Sequence, residues 1–363
     1  MLLFFLTKRG HTGGIGRYLG SPIGRQYARQ VIPLTYEKLF AGMTKEYWWK
    51  ETRKSWWEIQ GRSERPFGIG NLQAGRILAA QLYKWFFSRR KLPRGVYVFA
   101  DLELLSDEET LKATWLWRTL TESGCGVRLL NHPTRSMRKY ELLRTLYECG
   151  INTFNVYRVT EARWPQRYPV FLRFADDHEG PRSPLLHTRG ELDASLLALE
   201  QAHNRREGIL IVEFCDTADA KGIYRKYGAF VVGSHVFPKS IQFSKQWVVK
   251  RTDFSAEEML HEEMKYVESN PHADELKRIF ALARIEYGRI DYGMLGDAIQ
   301  VWEINTNPQI MVLLPGQRRS GPRLPVYEAV ERRMGLALEG LIQDQVRSLQ
   351  GHDTNRRQWW RGP

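Results

Sequence analysis

From Gly95 to about residue 349, short apolar runs alternate with longer stretches whose apolar residues recur at three- and four-residue spacing. That is the pattern of strands alternating with helices. "GVYVFADLELL" reads as a strand. "SDEETLKATWLWRTLTESG" reads as a helix with Ser106 at its N-cap and Glu109 at the third helical position, a capping box. "VRLLN" is the next strand, stopped by Pro133, and "RKYELLRTLYECG" is an amphipathic helix ended by Gly150. "PVFLRF" and "GILIVEF" are short β-rich runs with the helix "GELDASLLALEQAHNRREG" between them. "AFVVGSHVFP" breaks at Gly233-Ser234 and predicts a hairpin. Helices are expected at about 256–269, 272–287 and 326–349. "GRIDYGMLGDAIQVWEIN" reads as two strands joined by a Leu-Gly-Asp turn. The opening "MLLFFL" predicts a buried strand; it is too short and wrongly flanked for a secretory signal.

Composition adds little until charge is placed along the chain. The 363 residues are 42% hydrophobic and 26% charged, as in a soluble globular protein of two or three units. No apolar run approaches the roughly 20 residues that span a bilayer. The three cysteines, Cys125, Cys149 and Cys215, form no CxxC pair, which argues against a disulfide framework and for a reducing cytoplasm. The net charge of +13 is uneven: residues 1–91 hold 17 Lys/Arg against 5 Asp/Glu, and the remainder 37 against 36. This predicts a separate basic unit with an anionic neighbour. Within it, Trp48, Trp49, Trp56 and Trp57 would share one helical face, and "LAAQLYKWFFSRRK" follows at 78–91. Trp beside Lys/Arg suits a bilayer interface; it equally suits a helix packed on the protein's own core. The glycine cluster "RGHTGGIGRYLG" fits neither phosphate-binding fingerprint and reads as a loop.

Candidate chemistry gathers on the last hairpin. Glu303 and Asn305 are two apart and share a face, and Asp291 faces them across the ladder if the turn centres near Gly296-Asp297. Hard oxygen donors in incomplete coordination suit Mg²⁺, which takes its remaining ligands from water and phosphate. A solvated hairpin face is the plainer alternative.

Asp291, followed a dozen residues later by Glu303 and Asn305, resembles the ATP-grasp superfamily. The resemblance implies that Asp291, Glu303 and Asn305 bind Mg²⁺ on ATP, and that Arg289 steadies the transferred phosphoryl group. "LLNHPTRSMRKYELLRTLYECGI" is similar to the family's lead-in, which implies Lys139 on the nucleotide phosphates. "YPVFLRF" places Arg173 where the family usually has a phosphate-binding Lys. "ADDHEGPRSPLL" occupies the glycine-rich loop's place, with His178, Gly180 and Ser183 as its candidates. "ILIVEFCDT" resembles the adenine hinge. There backbone groups of Phe214 and Cys215 would pair with the base, Glu213 holds the usual acidic position, and Asp216 or Asp219 would take a ribose hydroxyl. Arg225 or Lys226 would touch the phosphates.

The resemblance covers roughly residues 95–315 and implies an α+β ATP-grasp fold, two α+β subdomains clasping ATP. The expected organisation is a basic, mainly helical extension over 1–91, a short α/β unit over 92–135, grasp subdomains over 136–215 and 216–349, and a polar tail over 350–363. The implied activity is a carboxylate–amine ligase using ATP and Mg²⁺ on an unidentified carboxylate and nucleophile. Two rivals stand beside it: an ATP-grasp kinase, or an idle scaffold that binds a membrane surface or nucleic acid, the membrane surface being preferred. A location at the inner face of the membrane would combine ligase and basic unit.

Overall fold

The computed structural model describes residues 2–7, 14–15, 18, 21–27, 31–36, 95–122, 126–161, 163–250, 252, 257–310 and 322–350. The tryptophan-rich stretches at 45–62 and 78–91 and the tail beyond residue 350 lie outside the described residues. Among the described residues no helix is long and apolar enough to cross a membrane.

Three sheets organise the chain. The first is parallel. Strands β1 (Leu2–Leu6), β2 (Val31–Thr35), β3 (Val96–Phe99) and β4 (Arg128–Leu130) run in the order β2-β1-β3-β4. A parallel sheet is covered on both faces, so its strands read as continuous apolar runs rather than alternating ones. "LLFFL" is such a run, and all five residues are buried. Phe5 and Phe99 pack under α2 (Asp107–Glu122) with Ala113, Leu116 and Leu120. Phe4, Val96 and Val98 face the long C-terminal helix α7 (Leu324–Gln350). The boundary expected at residue 91 therefore cuts through a sheet: β1 and β2 belong with β3 and β4, and the short α/β unit is larger than its expected 92–135 span. A short helix, α1 (Pro22–Tyr27), packs on α7.

The expected capping box is present, with Ser106 N donating to Glu109 at 2.9 Å and Glu109 N donating to Ser106 Oγ at 3.2 Å. Past β4, Asn131 takes a left-handed backbone (φ 61°) and clamps this unit to the rest of the fold. Its side chain donates to Tyr287 O and accepts from the backbone N–H groups of Glu286 and Tyr287.

Helix α3 (Lys139–Glu148) leads into the second sheet, in which β5 (Val156–Arg158), β7 (Ile209–Glu213) and β6 (Val170–Phe174) are antiparallel. Helix α4 (Arg189–His203) buries Leu192, Leu196 and Leu199 against it. The third sheet has the order β11-β10-β8-β9. It is built from two hairpins, β8 (Tyr224–Val232) with β9 (His235–Ser244), and β10 (Tyr287–Leu295) with β11 (Ala298–Asn305). The turns fall where the sequence placed them, at Gly233 (φ 63°) and Gly296 (φ 58°), backbone conformations that glycine adopts without a Cβ clash. Helix α5 (Glu257–Ser269) packs on β9, and α6 (Ala273–Ala283) buries Leu276, Ile279 and Phe280 with β10. This is an α+β arrangement, with two sheet-based subdomains facing each other behind a parallel unit, as the expected fold class has it.

Candidate active site

A cavity of about 890 Å³ opens between the second and third sheets. Its floor is the last hairpin. The turn sets the register as far as Tyr292 and Val301; a bulge at Trp302 then pairs Asp291 with Glu303 and Arg289 with Asn305. All four residues line the cavity. Arg289 grips Asp291 with two hydrogen bonds, Nε to Oδ1 at 2.6 Å and Nη2 to Oδ2 at 2.8 Å. Glu303 faces the second sheet: Arg173 Nη2, on β6, stands 2.7 Å and Lys139 Nζ, at the start of α3, 3.6 Å from its Oε2. Burial by itself would raise the Glu303 carboxyl. The charges of Arg173, Lys139, His178 and Arg289 overcome it and hold the group well below the ordinary carboxylate value.

The structure brings most of the sequence candidates together. Arg173, on β6, is 7% exposed, lines the cavity, and its Nε is buried without a hydrogen-bond partner among the described residues. An orphaned guanidinium donor beside a cavity is the group an oxyanion would satisfy. Lys139 lies just behind this wall rather than on it, donating to the carbonyls of Phe174 and Asp177. Burial, then the charge of Arg173, lowers its pKa to about 8. His178 and Gly180 line the cavity from the loop after β6. His178 Nε2 reaches Glu103 at 3.2 Å. Burial works to lower the imidazole pKa, but the Glu103 carboxylate wins and raises it. Phe214 and Cys215 line the cavity at the end of β7.

Other candidates point elsewhere. Glu213 is buried on the far face of β7, accepting from Asn155 N, Tyr157 Oη and Arg167. Strand alternation puts Val212 and Phe214 on the cavity and Glu213 away from it. Ser183 turns inward, accepting from Leu172 N and donating to Pro184 O. Asp216 accepts from Ala218 N in its own loop. Arg225 lines the cavity, but Glu262 and Asp219 pair with its guanidinium at 2.7 and 2.6 Å.

Several lining residues had no motif to mark them. Trp302 stacks with Phe154 (centroids 5.2 Å apart), and Trp247 meets both Phe171 and Phe214, giving an aromatic end that suits a planar base. Gly14, from the glycine cluster read as a loop, lines the cavity so closely that a Cβ there would lie 2.0 Å from Asn307 Oδ1. Asp101 lines the opposite end; burial first, then the Glu103 charge, lifts its pKa to about 7. Glu103 itself is tied to Thr306, immediately after β11. The signal for these was weak: an acidic pair after a strand, and tryptophans spread over distant segments.

Asp291, Glu303 and the Asn305 amide form a hard-oxygen donor set on adjacent strands, which fits Mg²⁺ shared with phosphate and water. Among the described residues, no group of three or more His, Cys, Asp or Glu gathers to hold an ion without such help.

In fold, the chain is similar to D-alanine–D-alanine ligase from Bacillus anthracis in complex with ATP, over 96% of this chain and 98% of that one, at 11% identity and a TM-score of 0.46. It is also similar to D-alanine–D-alanine ligase from Helicobacter pylori, over 65% and 72%, at 13% identity and a TM-score of 0.36. L-amino acid ligase from Bacillus licheniformis is similar over 68% of each chain, at 14% identity and a TM-score of 0.37. No protein-family model and no curated protein matches the sequence. Likeness this loose assigns no activity, and the site's own chemistry has to carry the functional reading.

Proposed function

We propose that this ATP-grasp protein is an ATP- and Mg²⁺-dependent ligase that activates a carboxylate as its acyl phosphate and couples it to an amine. The observation that carries the reading is the pairing across the cavity of Glu303, which stands beside Asp291 on the third sheet, with two buried cations, Arg173 on the second sheet and Lys139 at the start of α3. A polyanion bridged by a divalent cation is the ligand that satisfies both walls together.

The aromatic end formed by Phe154, Phe214, Trp247 and Trp302 would hold the base, with the phosphates running toward Glu303. Bound Mg²⁺, held by Asp291, Glu303 and Asn305, would neutralise phosphate charge. Arg173, with its unsatisfied Nε, would take a phosphate oxygen. Arg289 is fixed by Asp291 in the plane of its fork, so its remaining donors are pre-aimed at the oxygens of the transferred group. A carboxylate oxygen of the substrate attacks the γ-phosphorus as the bond to ADP breaks. The amine nitrogen then attacks the acyl carbon, inorganic phosphate leaves, and the nitrogen loses one proton. Both steps depend chiefly on positioning and charge neutralisation.

The test is release of ADP and phosphate with a panel of amino acids and carboxylates, with hydroxylamine added to trap an acyl phosphate. Hydroxamate formation that disappears in Glu303→Gln/Asn305→Ala supports ligation. Phosphate transfer to a hydroxyl without hydroxamate would favour a kinase. No turnover with any member of a broad panel would favour an idle scaffold.

A further inference from the structure

Three units of the fold meet at one buried carboxylate that carries no motif. Glu103 lies in the 3₁₀ turn Leu102–Leu104, just after β3, and is 8% exposed. Its Oε1 accepts from Thr306 N at 3.2 Å and its Oε2 from Thr306 Oγ1 at 2.5 Å. The turn returns the bond, with Leu102 N donating to Thr306 Oγ1 at 3.0 Å. Glu103 Oε1 also stands 3.2 Å from Nε2 of His178, in the loop after β6. One side chain of the parallel unit is thus fixed both to the residue that follows Asn305 and to a cavity-lining loop of the second subdomain.

A carboxylate this deeply buried is unfavourable unless it is paired. Burial works to raise the Glu103 carboxyl; the His178 bond and charge, then the Thr306 bond, outweigh it and hold the group below its ordinary value. His178 is the cation of the pair, and its own ring is fixed in return. The charged groups facing the ring are Glu103, Glu303 and Lys139. Glu303 is already the counter-ion of Arg173 and Lys139. With Nε2 held by Glu103, the ring keeps one further donor, Nδ1–H. Among the described residues no side chain or carbonyl takes it.

The ring lines the cavity within reach of the charges of Glu303 and Lys139, so its open donor stands beside the wall to which the phosphates are assigned. A carboxylate that pins one imidazole nitrogen fixes the ring's orientation and aims the other N–H. We infer that Glu103 is a positioning residue for nucleotide binding: it holds the His178 ring so that Nδ1–H donates to a phosphate oxygen, and through Thr306 it ties that donor to the strand carrying Glu303 and Asn305. The parallel unit thereby acts on the triphosphate through a residue of another subdomain. This rests on the nucleotide part of the ligase reading.

The experiment uses full-length protein with Mg²⁺ and a non-hydrolysable ATP analogue. Affinity for the analogue is measured by calorimetry in wild type, Glu103→Gln, His178→Gln and the double variant. Glutamine at position 103 still accepts from Thr306 N but offers the ring no charge. Each single change is expected to weaken binding about tenfold, and the double variant no more than the weaker-binding single, because both remove one and the same contact. A purely structural Glu103 would give losses that multiply. Thermal unfolding checks that the variants fold. Nitrogen NMR of the wild-type His178 ring, assigned by its absence from His178→Gln, needs no Glu103 variant: Nδ1 should shift when the analogue is added, and Nε2 much less. Multiplying losses, wild-type affinity in either single variant, an Nδ1 that does not respond, or no binding of the analogue by wild type overturns the proposal. Coupled losses without ADP release in parallel assays would sink the ligase reading and leave the Glu103–His178 assignment standing. Multiplying losses beside ADP release and hydroxamate formation would do the reverse.

Discussion

Glu303→Gln perturbs the site at its electrostatic centre. In the free protein the carboxylate is the counter-ion of both Arg173 and Lys139, each 7% exposed. At 3.6 Å and an effective dielectric of about 20, one such attraction is about 4–5 kcal/mol before desolvation is set against it. Removing one partner of a buried pair typically costs ~3–5 kcal/mol. The glutamine amide oxygen still accepts from Arg173, which recovers about 1 kcal/mol. A net loss of ~2–4 kcal/mol follows, a fall of roughly 4–8 °C in Tm at about 2 °C per kcal/mol. Because the Glu303 carboxyl is held low when folded, its stabilisation is complete above the ordinary carboxylate value of 4.5 and is lost as pH falls through the folded value. The variant should therefore differ most from wild type at neutral pH and least in strong acid. Nucleotide should act in the opposite direction. With Glu303 neutral, ATP phosphates become the counter-ions of Arg173 and Lys139, so Mg²⁺-free ATP should raise the Tm of the variant more than that of wild type. Mg²⁺-dependent phosphate release should be abolished. The assay is thermal unfolding at several pH values with and without ATP, beside phosphate release. A variant with wild-type Tm, or one that Mg²⁺-free ATP stabilises less than wild type, would refute this account of the cation–carboxylate wall.

Three further outcomes are expected. Asn131→Ala loses three buried hydrogen bonds and places alanine at φ 61°, for a cost of about 3 kcal/mol in denaturant unfolding; Asn131→Gly should cost about 1 kcal/mol less, because only the backbone strain is relieved. Ser106→Ala removes half of the capping box on α2 and should cost about 1 kcal/mol, with Ser106→Asp largely restoring it. Asp101 has a raised carboxyl when folded, so its contribution is fully present below the unfolded value of 3.8 and is lost as pH rises through about 7. Asp101→Asn should gain on wild type in Tm between about pH 4 and pH 8, and a difference flat with pH would contradict the shift.

The part of the site legible in the sequence is the part built by neighbours in the chain. Ser106 and Glu109 are three apart, so the start of α2 could be read directly. The turn that joins the strands of Asp291 and Glu303 was legible from its glycine, but its register alone would set Asp291 opposite Trp302, and only the bulge there brings Glu303 across. What the sequence left undecided was set by surfaces meeting over long separations. The parallel pairing of "LLFFL" with both β2 and β3 closes across a span of more than ninety residues, and no local pattern names its partners. Whether Glu213 or its neighbours faced the cavity depended on which face of β7 packed under α4, a parity that a uniformly apolar strand does not encode. Lys139 met Glu303, and Glu103 met Thr306, only once separate sheets were docked. The bulge that sets Glu303 opposite Asp291 exists only in the pairing of two strands. Short-range turn and cap geometry is fixed by adjacent residues; facing and docking are fixed by burial of whole surfaces, which only the folded chain brings together.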